Sequence, residues 1–474
     1  MKQMPEKHNG GSGNTRLLHM PSRLGVGFAI FLLVLTGTLT AKAQEAKSLT
    51  LKEALSYALT ANQEARKARL DVENSQYQIE EVRARALPQI SGSGAITYNP
   101  ILQLSALPGE LIGGEPGSTV LVPFGQKWNA NASASFSQTI FDQSVFTGLK
   151  AARTTRQFYQ LNAQLTEQQI IEQVATNYYR ILVQRRQVVV VDSTIKNTEK
   201  VQQILQGQYD NGLAKKVDVD RVEVSISNLR SNRVKLENGV TLLENQLKFL
   251  MGMPINTTIE VPEAALASIE PRAVPSDVTI NLGGRTELQL LQTQERLLDY
   301  QKQAFKSEYL PSLSLGGAYS YQGLGQKFPI FRSQADGANW FDVASVNLSL
   351  RIPLFNGFAT RARVRQADVS IRKLQEDIAS TRLSLDLAFE NAKAQINSSI
   401  ITLGAQEKNM KLAQEVFFNT QNNYNNGLAP LTDLLSAENS LTEAQNNYSS
   451  ALLYYKVAEI QLLKAQGSLT TLLK

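Results

Sequence analysis

Two aspartates, Asp218 and Asp433, occupy matching places in two similar segments and are the main candidates for a charged site. Each lies a few residues after the same short turn motif. A carboxylate at such a place can accept hydrogen bonds from free backbone N–H groups and so cap a helix. When symmetry repeats it around an axis, it can instead form a ring that favours cations. The residue pattern leaves both interpretations open.

The turn motif is Tyr-x-x-Gly-Leu, and it occurs twice, ending at Leu213 and Leu428. Gly212 and Gly427 each follow an asparagine and suit the left-handed conformation that ends a helix. Pro430 suits the first turn of the helix that follows. The sequence therefore predicts two helix hairpins with tips at 209–218 and 424–433. The candidate tip residues are Gly212, Leu213, Gly427, Leu428 and Pro430, with Lys215, Lys216, Asp218, Asp433 and Tyr424 as candidate gate residues.

The N-terminus has the pattern of a signal peptide. An apolar run at 24–35 follows two arginines, and Ala-Lys-Ala at 41–43 fits the small-x-small cleavage rule. The run is shorter than the roughly 20 residues that a membrane-spanning helix needs, and no later stretch is long enough either. We therefore expect residues 1–43 to be removed, with an uncleaved anchor as the alternative. Met1 and Met20 both remain possible starts.

Removal of this segment changes the charge and the available chemistry. The full chain has a net charge of +6, but the segment contributes about +4, so the mature chain is too close to neutral for a nucleic-acid binder. Both histidines, His8 and His19, lie in the segment, and the chain has no cysteine. Histidine-based triads, cysteine nucleophiles and the usual zinc sites are therefore excluded. We expect no cofactor and no metal.

An enzyme based on carboxylates is also disfavoured. The acidic residues lie mostly three or four positions from a basic residue, as Glu80 does from Arg83, which is typical of a solvated helix face. No glycine-rich phosphate-binding loop is present. The sequence therefore predicts that the chain is not an enzyme and that any energy comes from a partner protein.

The chain consists of one unit used twice. Residues 209–252 align with 424–467 without a gap and share 13 identities over 44 residues. Two upstream segments match in the same order. We therefore predict a first repeat at 44–285 and a second at 286–474. Within the first, the proline-containing stretch 253–285 is assigned to an equatorial region, together with the residues after the final matching glycine.

Each repeat is predicted to run helix, strand, loop, strand, very long helix, turn, helix. The strands alternate, with Leu313 and Leu315 on one face and serines between them, as a lipid-facing and water-lined barrel strand requires. An edge of a soluble sandwich is the alternative. The long helices contain no proline and would extend about 100 Å, which requires a bundle, a coiled coil or a tube. The predicted bounds are 50–86 for the first helix, 89–98, 128–141, 312–321 and 343–355 for the strands, 99–127 and 322–342 for the loops, and 143–208 and 357–424 for the long helices.

Four strands per chain imply an assembly of copies. An open sheet edge cannot remain in lipid, because its N–H and C=O groups would lack partners. Two copies would give eight strands with a nearly filled interior, whereas three would give twelve strands around a lumen. The helices would then extend into the periplasm, and the two loops would face the exterior.

This duplication of helix, strands and long helix, with its paired Tyr-x-x-Gly-Leu turns, resembles the TolC family of outer-membrane factors. The resemblance covers about residues 49–467. It implies a mainly α protein that forms a homotrimer. In this trimer, four strands per chain form a twelve-stranded transmembrane β-barrel, and a long periplasmic α-helical barrel continues the β-barrel. It also implies the outer membrane of a Gram-negative bacterium, contact with its lipid, a periplasmic adaptor protein, and an inner-membrane pump of the RND or ABC type. The implied function is a passive exit duct for drugs, metals or proteins.

The resemblance also suggests a gate at the hairpin tips. In the family, a tyrosine and an arginine on the second hairpin hold the tip shut. Tyr424 occupies the tyrosine position and Asp218 a matching acceptor, but Ala429 replaces the arginine and Ser436 replaces a second pore aspartate. We therefore expect a weaker cation preference and a looser closed state, with Asp433 in the pore ring. Simple packing is the alternative for the tyrosine, and an exported coiled-coil or adhesin protein is the alternative for the whole chain.

Overall fold

The structure, a computed structural model, describes residues 47–262, 280–331, 334 and 337–473. The predicted signal peptide lies outside the described residues, and so does 263–279, a part of the predicted equatorial stretch. Among the described helices, none combines the length and the apolar character that crossing a membrane requires.

The long described elements repeat in the same order in the two halves: a helix, two long strands, a very long helix and a last helix. The two long helices contain 68 and 67 residues and are therefore about 100 Å long. The first half contains α1 (Leu51–Ala61), α2 (Gln63–Ala84), β1 (Gln89–Tyr98), β2 (Leu104–Pro108), β3 (Thr119–Pro123), β4 (Trp128–Phe141), α3 (Gln143–Asp210) and α4 (Lys216–Met251). The second half contains α5 (Thr286–Ser307), β5 (Ser312–Gly325), β6 (Ala338–Arg351), α6 (Ala359–Asn425) and α7 (Leu431–Gln466).

The first predicted helix, 50–86, is two helices in the structure. α1 begins with a capping box, in which the hydroxyl of Thr50 and the carboxylate of Glu53 satisfy each other's backbone N–H groups. It ends at Asn62, whose extended backbone interrupts the helix and whose side chain then caps the first turn of α2. Asparagine is among the preferred N-cap residues, so a break at this position agrees with its chemistry.

Four long strands form one antiparallel sheet in the order β1-β4-β5-β6. The cross-strand register gives the sheet two different faces. On the polar face, the hydroxyls of Ser91 and Ser135 lie 2.7 Å apart, and those of Ser93 and Ser133 lie 2.8 Å apart. The opposite face carries exposed apolar side chains, including Ile90, Ile96, Tyr319, Tyr321, Val346, Leu348 and Leu350. The alternation predicted for this sheet is therefore present in all four strands.

The last strand differs from its predicted bounds of 343–355. β6 ends at Arg351 because Pro353 has no N–H to donate to a sheet ladder. The chain then turns into α6 through Gly357 and Phe358, which have φ values of 62° and 63°. In the first half the same junction is short, because Asp142 caps α3 directly after β4.

The loop predicted at 99–127 is partly structured. It contains the hairpin of β2 and β3, in which Leu104 is paired with Pro123. The residues of β3, Thr-Val-Leu-Val, are mostly β-branched and suit a strand. The glycines and prolines around them are equally typical of a loop, which is why the sequence alone predicts a loop for the whole stretch.

Four buried clusters hold the described helices together along their length, and the smallest of them joins α5 to α6. The largest packs α1, α3 and α4 with the end of α7. Within it, the hydroxyl of Tyr178 donates to the carbonyl of Leu49 at 3.1 Å. Burial raises the pKa of Tyr178 to about 12, so its hydroxyl remains a donor across the physiological range. A second cluster joins α6 to α7, and the third lies beside the hairpin tips.

Candidate functional site

The two hairpin tips have the same backbone structure. Gly212 and Gly427 have φ values of 74° and 73°, as the sequence analysis predicted for residues that end a helix. In each tip, the residue after the glycine donates its N–H to the carbonyl five positions earlier at 2.8 Å. This bond defines a Schellman motif. The exposed apolar ends of the tips are Leu213 and Leu428, which are 80% and 78% exposed.

A buried tip cluster joins the two hairpins just behind these turns. Because its members come from all four hairpin helices, the hairpins form one packed unit. Tyr424 packs against the cluster, whereas its counterpart Tyr209 is exposed. The tip cluster consists of Val201, Leu205, Val219, Val222, Ile226, Phe417, Leu431, Leu434 and Ala437.

The structure brings Tyr424 and Asp218 together across the hairpins. Burial, and then the negative charge of Asp218, raise the pKa of Tyr424. No hydrogen bond joins the two side chains in the described part of the chain. Asp218 instead faces Arg221 on its own helix, at 3.9 Å. The partners of the predicted link are thus neighbours without a bond between them.

Both candidate aspartates lie in the first turn of a helix, where a negative charge is favourable. The N-cap positions are Lys215 and Pro430, and neither side chain makes a capping hydrogen bond. Pro430 was predicted one position later, within the first turn. Lys215 and Lys216 are exposed at the tip. In the described contacts neither Asp218 nor Asp433 accepts a hydrogen bond from a helix N–H. Of the capping interpretation, only the favourable interaction of each carboxylate with the helix dipole remains.

Asp433 does not join the pair formed by Asp218 and Tyr424. It is exposed and lines a groove of about 410 Å³ between α6 and α7. Ser436, at the place of the family's second pore aspartate, lines the same groove. The other lining residues are Asn409, Leu412, Ala413, Val416, Thr420, Ala437 and Ser440.

Glu438, an unusual group near the tips, is not among the site residues that the sequence motifs predict. It is 5% exposed, and its Oε2 accepts a hydrogen bond from Thr198 Oγ1 at 3.0 Å. Its Oε1 is buried without a partner in the described part of the chain. Burial raises the pKa of Glu438 to about 7, although the bond from Thr198 acts in the opposite direction. The spacing of Leu431, Leu434 and Glu438 along one helix face could have revealed its burial.

The comparisons with known proteins decide the family. The sequence profile described as "Outer membrane efflux protein" matches residues 54–253 and 281–468, which is most of the chain. The chain belongs to the outer membrane efflux protein family. The outer membrane protein TolC of Vibrio cholerae is 23% identical over 343 residues, 72% of this chain and 77% of that protein. The TolC of Escherichia coli K12 is 22% identical over 433 residues, 88% of this chain and 82% of that protein.

The fold is also that of solved outer-membrane channels. A crystal structure of CusC superposes with a TM-score of 0.69 at 17% identity and covers 88% of this chain and 91% of that one. The predicted family, the TolC-like fold with two tandem repeats, the outer-membrane location and the function as a channel for efflux or secretion are thus confirmed. The outer membrane efflux protein family is a transport family. The repeat boundaries and the roles of the tip residues stay predictions.

Proposed function

We propose that this outer membrane efflux protein works as a homotrimeric, passive exit duct in a tripartite efflux pump or a type I secretion system. The single observation that carries the proposal is the open four-stranded sheet with one polar and one apolar face. β1 and β6 have a free edge each among the described strands, and pairing with copies of the chain would satisfy both. Three copies give twelve strands and a water-lined lumen.

The periplasmic partners would meet the hairpin tips. Helices of about 100 Å extend from the sheet toward the periplasm, where the exposed Leu213 and Leu428 form an apolar end. Exposed apolar side chains at the end of a helical tube suit a periplasmic adaptor protein that links it to an inner-membrane pump of the RND or ABC type. The polar serine and asparagine lining of the sheet discriminates little between solutes. We infer that the pump, and not the duct, selects the drug, metal or protein that is exported.

The tips would form the gate of this duct. Threefold symmetry would repeat Asp433 as a ring of three carboxylates, while Tyr424, which packs on the tip cluster beside Asp218, lies between the two hairpins of a chain. Ala429 stands in place of the arginine that links the hairpins, so the closed state is looser than in the prototype of the family. Ser436 stands in place of the second pore aspartate, so one ring of carboxylates is absent and the cation preference is weaker. The exposed Lys215 and Lys216 reduce the cation preference further.

Single-channel recording of the purified protein in planar bilayers tests the duct and the gate together. We expect Asp433→Ala to lower the cation-to-anion permeability ratio, measured as a reversal potential in a salt gradient, by about twofold or more. Asp220→Ala removes another exposed aspartate near the tip, on α4, and should leave the ratio unchanged. An unaltered ratio in Asp433→Ala would mean that this residue contributes only a favourable charge at the end of α7 and does not act in the pore. If the wild type forms no channels, the duct proposal itself fails.

A further inference from the structure

The apolar face of the sheet continues onto the beginning of α3. Phe141, the last residue of β4, is paired in register with Leu313, which in turn is paired with Leu350 on the apolar face. The ring of Phe141 lies 6.3 Å from the ring of Phe146, in the first turn of α3. Phe146 is 52% exposed. This side of α3 therefore borders the lipid-facing side of the sheet.

Two basic residues follow on the same side of α3. Lys150 and Arg153 lie four and seven positions after Phe146, a spacing that places all three along one stripe of a helix. Both side chains are exposed, and neither makes an ion pair in the described part of the chain. Residues 143–166 contain no acidic residue at all. The stripe is therefore apolar at the membrane end and purely basic one to two turns further along.

The second repeat has a similar arrangement at slightly shifted positions. Phe358, 63% exposed, directly precedes α6, and Arg361 and Arg365 follow at three and seven positions. Both arginines are exposed and without an ion pair among the described residues, whereas Arg363 between them is paired with Glu308 at 2.6 Å. We call the two stripes together the membrane-proximal collar; it consists of Phe146, Lys150, Arg153, Phe358, Arg361 and Arg365.

Helix stability does not account for these basic residues. The first turn of α1, α2, α4, α5 and α7 contains an acidic residue, which is favourable at the positive end of a helix. The first turns of α3 and α6 contain none, although these are the two described helices that leave the sheet directly. The carboxylate of Asp142 caps α3, and the basic residues of both stripes have no ion pair among the described residues, so they are free to bind an anionic group outside the chain.

We propose that the membrane-proximal collar binds anionic phospholipid headgroups, such as phosphatidylglycerol, in the periplasmic leaflet of the outer membrane. At 1.5 Å per residue, Lys150 and Arg153 lie about 6 and 10 Å beyond Phe146. The polar headgroup layer extends roughly 5–8 Å beyond the hydrocarbon region, so long basic side chains reach its phosphates from these positions. The inference rests on the orientation of the sheet in the proposed duct, with the long helices on the periplasmic side.

Native mass spectrometry of the full-length protein in detergent, titrated with defined lipids, tests the proposal. Phosphatidylglycerol should bind more tightly than phosphatidylcholine of the same chain length. Each basic residue near an anionic surface contributes about a fivefold gain in affinity. The double variants Lys150→Gln/Arg153→Gln and Arg361→Gln/Arg365→Gln should therefore each lose about tenfold or more of the affinity for phosphatidylglycerol, while phosphatidylcholine binding stays the same.

A matched control lies on the same helix. Lys196 and Lys200 form an exposed basic pair at the i, i+4 spacing, roughly 70 Å further along α3 from the sheet. Lys196→Gln/Lys200→Gln makes the same change in charge and should leave lipid binding unchanged. Equal binding of the two lipids by the wild type, or an equal loss in the control variant, would overturn the proposal. Displacement of the lipid by millimolar inorganic phosphate would also overturn it, by showing a phosphate site that does not need a membrane.

The failure of this inference can be told apart from a failure of the duct. Planar bilayers of pure phosphatidylcholine contain no anionic headgroup, and the proposed duct should still conduct in them. Channels without a preference for phosphatidylglycerol would contradict the collar alone. An absence of channels in every lipid would contradict the duct and, with it, the orientation on which the collar rests.

Discussion

The C-terminal ends of α4 and α7, which match in the two repeats, are held by different side chains. In the first repeat, the side-chain amide of Asn62 donates to the carbonyl of Leu250 at 2.7 Å, near the end of α4. In the second, Arg285 donates to the carbonyl of Ala465, the matching residue of α7, at 2.5 Å, and also to the carbonyl of Lys464. Asn62 and Arg285 each directly precede a helix of 22 residues. The duplicated backbone thus keeps the position of the contact and changes its chemistry.

From this difference we expect the second repeat to depend more strongly on its capping residue than the first. Asn62 is neutral, and its side chain also accepts hydrogen bonds from the N–H groups of Glu64 and Ala65. Arg285 is 3% exposed and forms a bidentate pair with Glu287, with Nη2 at 2.6 Å from Oε1. A buried charge whose partner is removed is far more costly than a lost neutral hydrogen bond.

A second difference between the repeats lies close to the tips. Glu438 and Glu223 are identical residues at matching positions, 215 residues apart. Glu438 is buried beside Leu434 and Ala437 of α7, whereas Glu223 is exposed, although Val219 and Val222 at the matching positions of α4 are also buried. Glu438 lies against α3, where Thr198 donates a hydrogen bond to it. The packing of a neighbouring helix has therefore buried one of two equal carboxyl groups.

The largest expected effect comes from Arg285. We expect Arg285→Ala to destabilise the protein by about 3–5 kcal/mol, because it leaves Glu287 without its partner and frees two carbonyls at the end of α7. Asn62→Ala, at the matching position, should cost about 1–2 kcal/mol, since only neutral bonds are lost. Urea denaturation of the purified protein, followed by circular dichroism, measures both.

The conservative variant sharpens this comparison. Arg285→Lys keeps the charge but cannot make the planar, bidentate contact, so it should recover only a part of the loss. If Arg285→Ala is no more destabilising than Asn62→Ala, the two repeats depend on their caps equally and the buried pair contributes nothing of its own.

The next effect concerns Glu438 and depends on pH. Its pKa of about 7 in the folded protein lies above the usual 4.5, so the folded state favours the neutral carboxyl. The neutral carboxyl therefore makes its full contribution to the stability of the folded state below about pH 4.5. This contribution decreases as the pH rises and is lost above pH 7. The whole change is on the order of 3 kcal/mol per chain. Thermal unfolding at pH 5 and pH 8 should therefore give a higher Tm at the lower pH.

Substitution separates Glu438 from the other carboxyl groups. Glu438→Gln has no proton to lose, so it should flatten this part of the pH dependence and raise the Tm at pH 8. Glu223→Gln makes the same change at the exposed position of the first repeat and should leave the pH profile as it is. A profile that is the same in Glu438→Gln and in the wild type would show that the buried carboxyl does not titrate in this range.

The sequence was informative wherever local chemistry decides the structure. The glycines at 212 and 427, the alternation of the strands and the absence of proline in the long helices each follow from one residue type or one period, and they predicted the tips, the sheet and the length of the tube. The duplication supplied the order of the elements. The hairpin of β2 and β3 was missed because the glycines and prolines around it are equally typical of an unstructured loop.

The candidate site was less predictable, because it depends on which faces of four helices meet. Sequence motifs placed Asp218, Asp433 and Tyr424 at the tips, but they gave no means to know that only Tyr424 and Asp218 approach each other. Burial of Glu438 could have been predicted from the spacing along α7. Its contact with Thr198, 240 residues away, depends on the packing of α7 against α3, which no local pattern reveals.

The smallest expected effect comes from the glycines that end α4 and α7. Gly252 and Gly467 have φ values of 70° and 73°, so alanine at either position costs about 1 kcal/mol in the left-handed region. At Gly252, an added Cβ would also lie 2.6 Å from the carbonyl oxygen of Ala61, whereas at Gly467 the nearest atom would be the Cδ of Arg285 at 3.5 Å. We therefore expect Gly252→Ala to cost about 2 kcal/mol and Gly467→Ala about 1 kcal/mol in the same denaturation experiment. Equal losses would mean that the backbone of α1 moves aside easily, and the first repeat would then be the more adaptable of the two at this helix end.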